Sequence, residues 1–456
     1  MAEATCPRPM RHMSRVFSIP TVHDDLGFSP VWVVSFLYFG QPVPLATARA
    51  VLRERLCAID RFASRIEPTR GGFAFARLGD RCLDAAMAHL VQERPGIETQ
   101  ADIDSFVSGL ATQRLPLDLP QWRMYITGTM ADGRTLLLFQ VNHAIADGVA
   151  MVEVLMSMSD TDDGAPIRMP RRRGGWRPAS VWQSMRGVLR ACWGAVVADQ
   201  LPGDPQNRLK LPDPRHPGLA KSFHTSAPIP LEEVQEVRNA IPGATVNDVL
   251  MAVAALALRE YFLRHEPATL RQKVRAGFPV NIRETDGRDI LTPAHFGNRF
   301  SQGQLRLPLH LEDPLRVMAD VKRQADLMKA SPEPGFRDFL LRLVITKSGL
   351  SYANIAHAVL SAYGKVTMLL SNVPGPLDPV RFMGQELDDL SFYLVAPIGL
   401  YFGIVQYRGF IRAGICVDAT CEPEPARLGE CWAPAFQRLR EASARGSAQP
   451  ISPARL

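Results

Sequence analysis

At 456 residues, with 46% hydrophobic and 21% charged positions, the chain has an ordinary globular composition and length enough for two domains, which excludes disorder of the whole. The net charge of +6 comes from basic residues that mostly interleave with acids, so no nucleic-acid partner is expected. Seven scattered cysteines without Cys-x-x-Cys spacing predict a cytoplasmic chain, and the start and the absence of long apolar runs predict neither a leader nor a membrane span.

In chain order, the first strand is expected around Val31 to Tyr38 and a helix from Ala46 to Ile59. Strands around Met124 to Thr127 and Thr135 to Val141 flank a hairpin turn at Asp132-Gly133. Directly after the second of these comes Asn142-His-Ala-Ile-Ala-Asp-Gly148, and Val149 to Met156 reads as the next helix. From Asp163 to Asp199 no acidic residue intervenes, while seven arginines, including Arg171, Arg172 and Arg173, are joined by Trp176, Trp182 and Trp193. This basic stretch is broken first by prolines and glycines, then carries helical spacing over Ser180 to Val197, and a proline-rich loop follows. The organisation expected is an N-terminal lobe over 1–165, a basic linker over 166–222 and a C-terminal lobe over 223–456. In the latter, Asn247 to Arg264 is a helix, and Lys273 to Val280 and Val366 to Ser371 are strands. A late pair, Tyr401 to Tyr407 and Phe410 to Val417, closes through a tight hairpin at Arg408-Gly409. Interspersed strands and helices of this kind make a mixed α/β fold.

The chemistry concentrates on His143. A strand end orients an imidazole while the following loop leaves it accessible, and histidine titrates close enough to neutrality to take and return a proton. The bland alternative is a structural strand-end histidine. Asp147 reads as a carboxylate that fixes the loop, with Arg283 as its partner; an exposed arginine at a strand end is the competing reading. Gly148 permits close backbone approach at the turn into the helix. Thr245 and Asp248 have capping-box spacing, so Asp248 is structural. Ser371 and Asn372, polar residues ending an apolar strand, are candidates for substrate contact, beside the reading of a polar strand cap. The chain has no Gly-x-Ser-x-Gly elbow, P-loop or His-Glu-x-x-His pair.

Taken in order, several segments resemble the bacterial wax ester synthase/diacylglycerol acyltransferase family, a branch of the chloramphenicol-acetyltransferase-like and condensation-like acyltransferases. They are Leu119-Pro-Gln-Trp-Arg-Met-Tyr-Ile126, the His143 segment, Thr245-Val-Asn-Asp-Val-Leu250, Phe278-Pro-Val-Asn-Ile-Arg283, Phe296-Gly-Asn-Arg299 and Ser371-Asn-Val-Pro-Gly-Pro376. The family signature is His-His-x-x-x-Asp-Gly; its second histidine falls on His143 and its first on Asn142. The resemblance implies an α/β fold of two chloramphenicol-acetyltransferase-like mixed-sheet lobes with an active-site tunnel between them. It implies an O-acyltransferase that moves a fatty acyl group from acyl-CoA to diacylglycerol or a long-chain alcohol, making triacylglycerol or wax ester. His143 would be the general base, with no covalent acyl-enzyme, no metal and no cofactor beyond acyl-CoA as substrate. Asn247 falls in the family's Asn-Asp motif, where the asparagine approaches the histidine, and Asn142 and Asn247 are the amide candidates for an oxyanion donor.

Asn142 in place of a histidine keeps open a condensation-like acyltransferase acting on a polyketide, amino or carrier-bound acceptor. A non-catalytic lipid-binding relative is the alternative of another class. The segment 168–197 has two readings, a solvated connection and a contact with an anionic membrane surface, the second implying a peripheral protein at a membrane or lipid droplet.

Overall fold

A computed structural model of the chain describes residues 8–10, 12–22, 30–70, 72–160, 202–213, 220–283, 291–292, 295–331, 333–347 and 351–446. The basic segment 168–197 and the helix expected within it lie outside the described residues.

The strands, numbered in chain order, fall into three sheets. The first runs in space through Arg381–Phe382 (β13), Gln385–Val395 (β14), Trp32–Phe39 (β2), Thr135–Asn142 (β7), Trp122–Thr129 (β6) and Val91–Arg94 (β5). The second runs through Phe300–Leu307 (β11), Val274–Asn281 (β10), Met368–Val373 (β12), Leu400–Tyr407 (β15), Phe410–Asp418 (β16) and Lys221–Thr225 (β8), with Ile229–Pro230 (β9) also on β16. A small third sheet holds Arg8–Pro9 (β1), Gly72–Arg77 (β4) and Ser64–Thr69 (β3). Both large sheets mix parallel and antiparallel pairs: β5 with β6, β10 with β12 and β12 with β15 are parallel.

Burial explains the central strands. Every residue of β7 is buried, and so is every residue of β15, because each lies inside its sheet with both faces covered. The helix Val246–His265 is apolar around its circumference, which suits a core helix, and its neighbours Pro314–Lys329 and Ala426–Gly446 pack on it. Thr245 and Asp248 form the capping box that starts it: the Thr245 backbone N–H donates to the Asp248 carboxylate at 2.8 Å. The hairpin at Arg408-Gly409 has φ of 51° and 76°, the left-handed pair that a two-residue turn between twisted strands demands.

Two differences from the sequence reading matter. The helix expected over Ala46 to Ile59 is an α-helix only over Leu45–Val51 and continues as one wider π turn over Leu52–Leu56. The stretch placed in the C-terminal lobe, 223–456, supplies strands to both large sheets, since β14 pairs with β2 along Leu387 to Val395. The halves are further joined at β8, where Ser108 Oγ donates to the Lys221 carbonyl and Asp104 accepts from the Phe223 backbone N–H.

Candidate active site

Strand β7 ends at Asn142, which pairs with Trp32, and the His143 backbone N–H donates to the Val31 carbonyl at 2.9 Å. Asn142 is fully buried. Its amide nitrogen donates to Thr21 Oγ1 at 2.7 Å, and its side-chain oxygen accepts from the Ala144 backbone at 2.9 Å. The residue thus shapes the first turn of the loop and ties it to the helix His12–Val22.

Asp147 caps the next helix, Gly148–Met158, by accepting from the Ala150 N–H at 3.1 Å. It also accepts from Arg283 Nη2 at 2.8 Å and from the Arg299 N–H at 2.9 Å. Both members of the ion pair are buried, so Arg283 is not an exposed strand-end residue. Gly148 is needed for space: a Cβ there would sit 2.7 Å from Val373 Cγ2 at the end of β12.

The segment Phe296-Gly-Asn-Arg299 crosses from the second half and holds the loop, directly through Asn298 and Arg299 and through Arg61 and Arg283 at Phe296 and Gly297. The Phe296 carbonyl accepts from Arg61, whose guanidinium also donates to the Ile145 carbonyl at 2.9 Å. The Gly297 carbonyl accepts from Arg283. Asn298 Nδ2 donates to the His143 carbonyl at 2.7 Å and the Ala144 carbonyl at 3.2 Å. Gly297 has φ of 105°, and a Cβ on it would overlap the Arg61 guanidinium. Asn298, Arg61, Thr21 and the aromatic neighbours of His143 are the parts that local sequence reading missed. Of these only Asn298 carried a signal, its place in the Phe-Gly-Asn-Arg string.

The imidazole of His143 is half-buried, with the Phe17 ring centroid 4.2 Å away and Phe300 edge-on at 5.9 Å. Nδ1 is enclosed and has no hydrogen-bond partner. Burial holds the imidazole below its ordinary value of 6.5, opposed by the Asp147 carboxylate, its own backbone and the Asn298 side chain. A neutral ring at pH 7 is the form that accepts a proton.

At the end of β12, Asn372 Nδ2 donates to Asn247 Oδ1 at 3.0 Å, which joins the strand to the start of the helix Val246–His265. Ser371 hydrogen-bonds the buried Tyr401 phenol, whose own titration burial drives upward. Val373 ties this side to the histidine loop through its contact with Gly148.

Two mixed sheets, one of which takes strands from both halves of the chain, and a strand-end histidine on a loop held from both halves are the architecture of an α/β acyltransferase. Residues 40–199 match the wax ester synthase/diacylglycerol acyltransferase catalytic domain, and residues 296–440 match the WS/DGAT C-terminal domain. The chain belongs to the wax ester synthase/diacylglycerol acyltransferase family. It is 27% identical over 381 residues to a probable diacylglycerol O-acyltransferase of Mycobacterium tuberculosis, covering 77% of this chain and 78% of that protein. It is 24% identical over 368 residues to wax ester synthase/diacylglycerol acyltransferase 11 of Arabidopsis thaliana, covering 72% of this chain and 74% of the relative. The fold is shared with the wax ester synthase/diacylglycerol acyltransferase from Marinobacter aquaeolei VT8, with a TM-score of 0.62 at 17% identity over 96% of this chain and 100% of that one. It is shared also with the first condensation domain of the calcium-dependent antibiotic synthetase, with a TM-score of 0.59 at 16% identity over 98% of each chain.

Proposed function

We propose that this protein transfers a fatty acyl group from acyl-CoA to the hydroxyl of diacylglycerol or a long-chain alcohol, with His143 as general base. The observation that carries the reading is an imidazole enclosed by Phe17 and Phe300, at the position of the family's base, on a loop clamped by Arg61, Arg283 and Asn298. Both substrates meet at it in a tunnel between the lobes. Nε2 takes the hydroxyl proton as the acceptor oxygen attacks the thioester carbonyl. The tetrahedral oxyanion collapses, the C–S bond breaks, and the CoA thiolate recovers the proton from the imidazolium. One ester bond forms, one thioester bond is lost, and no acyl-enzyme, metal or further cofactor takes part.

The roles divide accordingly. Asp147 and Arg283 position the loop. Asn142, whose amide nitrogen is given to Thr21, supports the turn, which leaves Asn247 as the amide candidate for the oxyanion. Ser371 and Asn372 contact substrate at the end of β12. Because such acceptors are insoluble in water, the reading includes work at a membrane or lipid-droplet surface. Among the described residues no helix is long and apolar enough to cross a membrane.

The test supplies acyl-CoA with diacylglycerol, long-chain alcohols and amines, and follows free CoA and the acylated product. Acceptor-dependent CoA release with ester formation supports the proposal. Transfer to amines alone points to condensation-like chemistry, release without acceptor to a hydrolase, and no turnover with retained lipid binding to a non-catalytic relative.

A further inference from the structure

β11 is the outermost strand of the second sheet and pairs on one side only, with β10. The Ile282 N–H donates to the Arg299 carbonyl at 3.2 Å, and that register turns the backbone groups of the odd-numbered residues of β11 toward β10. Gln302, Gln304 and Arg306 therefore turn theirs outward. At Arg306 the outward groups are taken: the Gln324 side chain accepts from the N–H at 2.9 Å and donates to the carbonyl at 2.8 Å, so an amide stands where a further strand would. At Gln302 and Gln304 the outward N–H and carbonyl have no partner among the described residues. Such an open edge is a row of donors and acceptors that fits another extended chain.

The open stretch borders a cleft of about 350 Å³ that Leu327, Met328 and Pro334 also line. That volume is near the lower limit of small-molecule sites and too small for a partner's strand with its side chains, which selects a narrow chain. The strand leads to the histidine. Phe300, edge-on to His143 at 5.9 Å, lies on the strand face of Gln302 and Gln304, about 7 and 13 Å from them at the β rise. On the same face Arg306 is exposed at the outer end and has no ion-pair partner among the described residues. From inside outward, the strand offers a ring beside the proposed base, two open peptide units and a cation. A thioester, amides in series and a phosphate come in that order along a phosphopantetheine arm. The one hydroxyl of a diacylglycerol or a long-chain alcohol is taken up at the base, which leaves no donor for the outward carbonyls.

We propose that the open edge of β11 at Gln302 and Gln304 binds the phosphopantetheine arm of the acyl donor by strand-like amide pairing, with the thioester delivered to Phe300 and His143. This rests on the transferase reading given above. The arm is common to CoA and to a carrier protein. The experiment compares the full-length protein with Gln304→Pro, which deletes an outward N–H without touching the ladder to β10, and with Gln304→Ala, which keeps that N–H. Each is assayed with one acyl group carried on CoA, on a carrier protein, on pantetheine and on 2-mercaptoethanol, whose thioester has no amide. Gln304→Pro is expected to lower the ratio of kcat/KM between the pantetheine and mercaptoethanol thioesters by about fivefold, the scale of one net hydrogen bond, while Gln304→Ala keeps the ratio within twofold. Preference for the carrier thioester assigns the arm to a carrier protein, and preference for the CoA thioester assigns it to CoA. Because a proline variant can fail to fold, hydrogen–deuterium exchange over 300–306 is also followed in the wild type with S-methylpantetheine, a thioether that cannot transfer, and slower exchange is expected. An unchanged ratio in folded Gln304→Pro, an equal fall in Gln304→Ala, or exchange over β11 that the thioether does not slow overturns the proposal. Slowed exchange together with no transfer from any donor leaves the arm's site standing and removes the transferase reading.

Discussion

The loop carrying His143 receives hydrogen bonds from Arg61, Arg283, Asn298 and the Arg299 backbone, whereas Asn247 and Asn372, at the end of β12, meet through a single bond in an exposed pair. On the first side the donors are buried or partly buried and come from segments 84 to 155 positions away from their acceptors. The second side joins the tip of a strand to the cap of a helix. A buried, multiply bonded loop has one geometry, and each missing bond strands a polar group away from water. An exposed amide pair exchanges its partner for water at little cost. The His143 loop is therefore held rigidly, and the Asn247–Asn372 pair is the more adaptable of the two.

That contrast is broken most severely at the proposed base itself. His143→Ala should lower transfer by about a hundred- to ten-thousand-fold, the usual share of a positioned general base, with the circular dichroism spectrum unchanged. Wild-type turnover by this variant would sink the mechanism. Next comes Asp147→Ala, which leaves the buried Arg283 guanidinium uncompensated and removes the helix cap. A destabilisation of about 3–5 kcal/mol in urea unfolding is expected, with activity falling alongside. If Asp147→Asn folds normally yet loses all activity with a displaced pH profile, Asp147 takes part in proton transfer and the positioning role is wrong. Asn298→Ala strands the His143 and Ala144 carbonyls inside the protein and should cost about 1–3 kcal/mol, together with a fall in kcat larger than any rise in KM.

The pH dependence sharpens the same side of the comparison. The folded imidazole titrates below 6.5 because burial disfavours its charge, while the unfolded chain titrates at the ordinary value. Between the two the unfolded chain binds more protons, so the contribution of His143 to stability is present above about 6.5 and is lost as pH falls through the folded value. Transfer needs the neutral ring, so the acid limb of kcat/KM should lie below 6.5; a limb above that value would contradict the assignment. The smallest effect is expected opposite. Asn372→Ala should leave stability within about 0.5 kcal/mol, as for an exposed pair, while shifting the ratio of kcat/KM between a long-chain alcohol and diacylglycerol. A large drop in thermal stability would show that this wall is as rigid as the other.

The strands β7, β10, β15 and β16, the hairpin at Arg408-Gly409 and the helix capped by Thr245 were legible in the sequence because each rests on local causes: apolar runs, a turn dipeptide, a cap. The π turn after Val51 was not, since nothing in Leu52-Arg-Glu-Arg-Leu56 separates it from an ordinary helix. Nor was β14, whose place beside β2 depends on a return of the chain across some 350 positions. Around the site the same division holds. His143, Asp147 and Gly148 stand in one short string and announce a strand, loop and helix. The neighbours Phe17 and Thr21, far upstream, carry no pattern that points to an imidazole.

By itself, then, the sequence determined the family and pointed to candidate site residues, because a histidine at a strand end and a family signature are written in contiguous letters. Only the tertiary structure decided that Asn142 turns its amide toward Thr21, that Arg61 and Asn298 hold the histidine loop, and that Asn247 meets Asn372. Those contacts follow from how two sheets, one built from both halves of the chain, bury polar groups against one another. Which distant donor satisfies a buried acceptor is settled by packing in three dimensions, where separation along the chain carries no information.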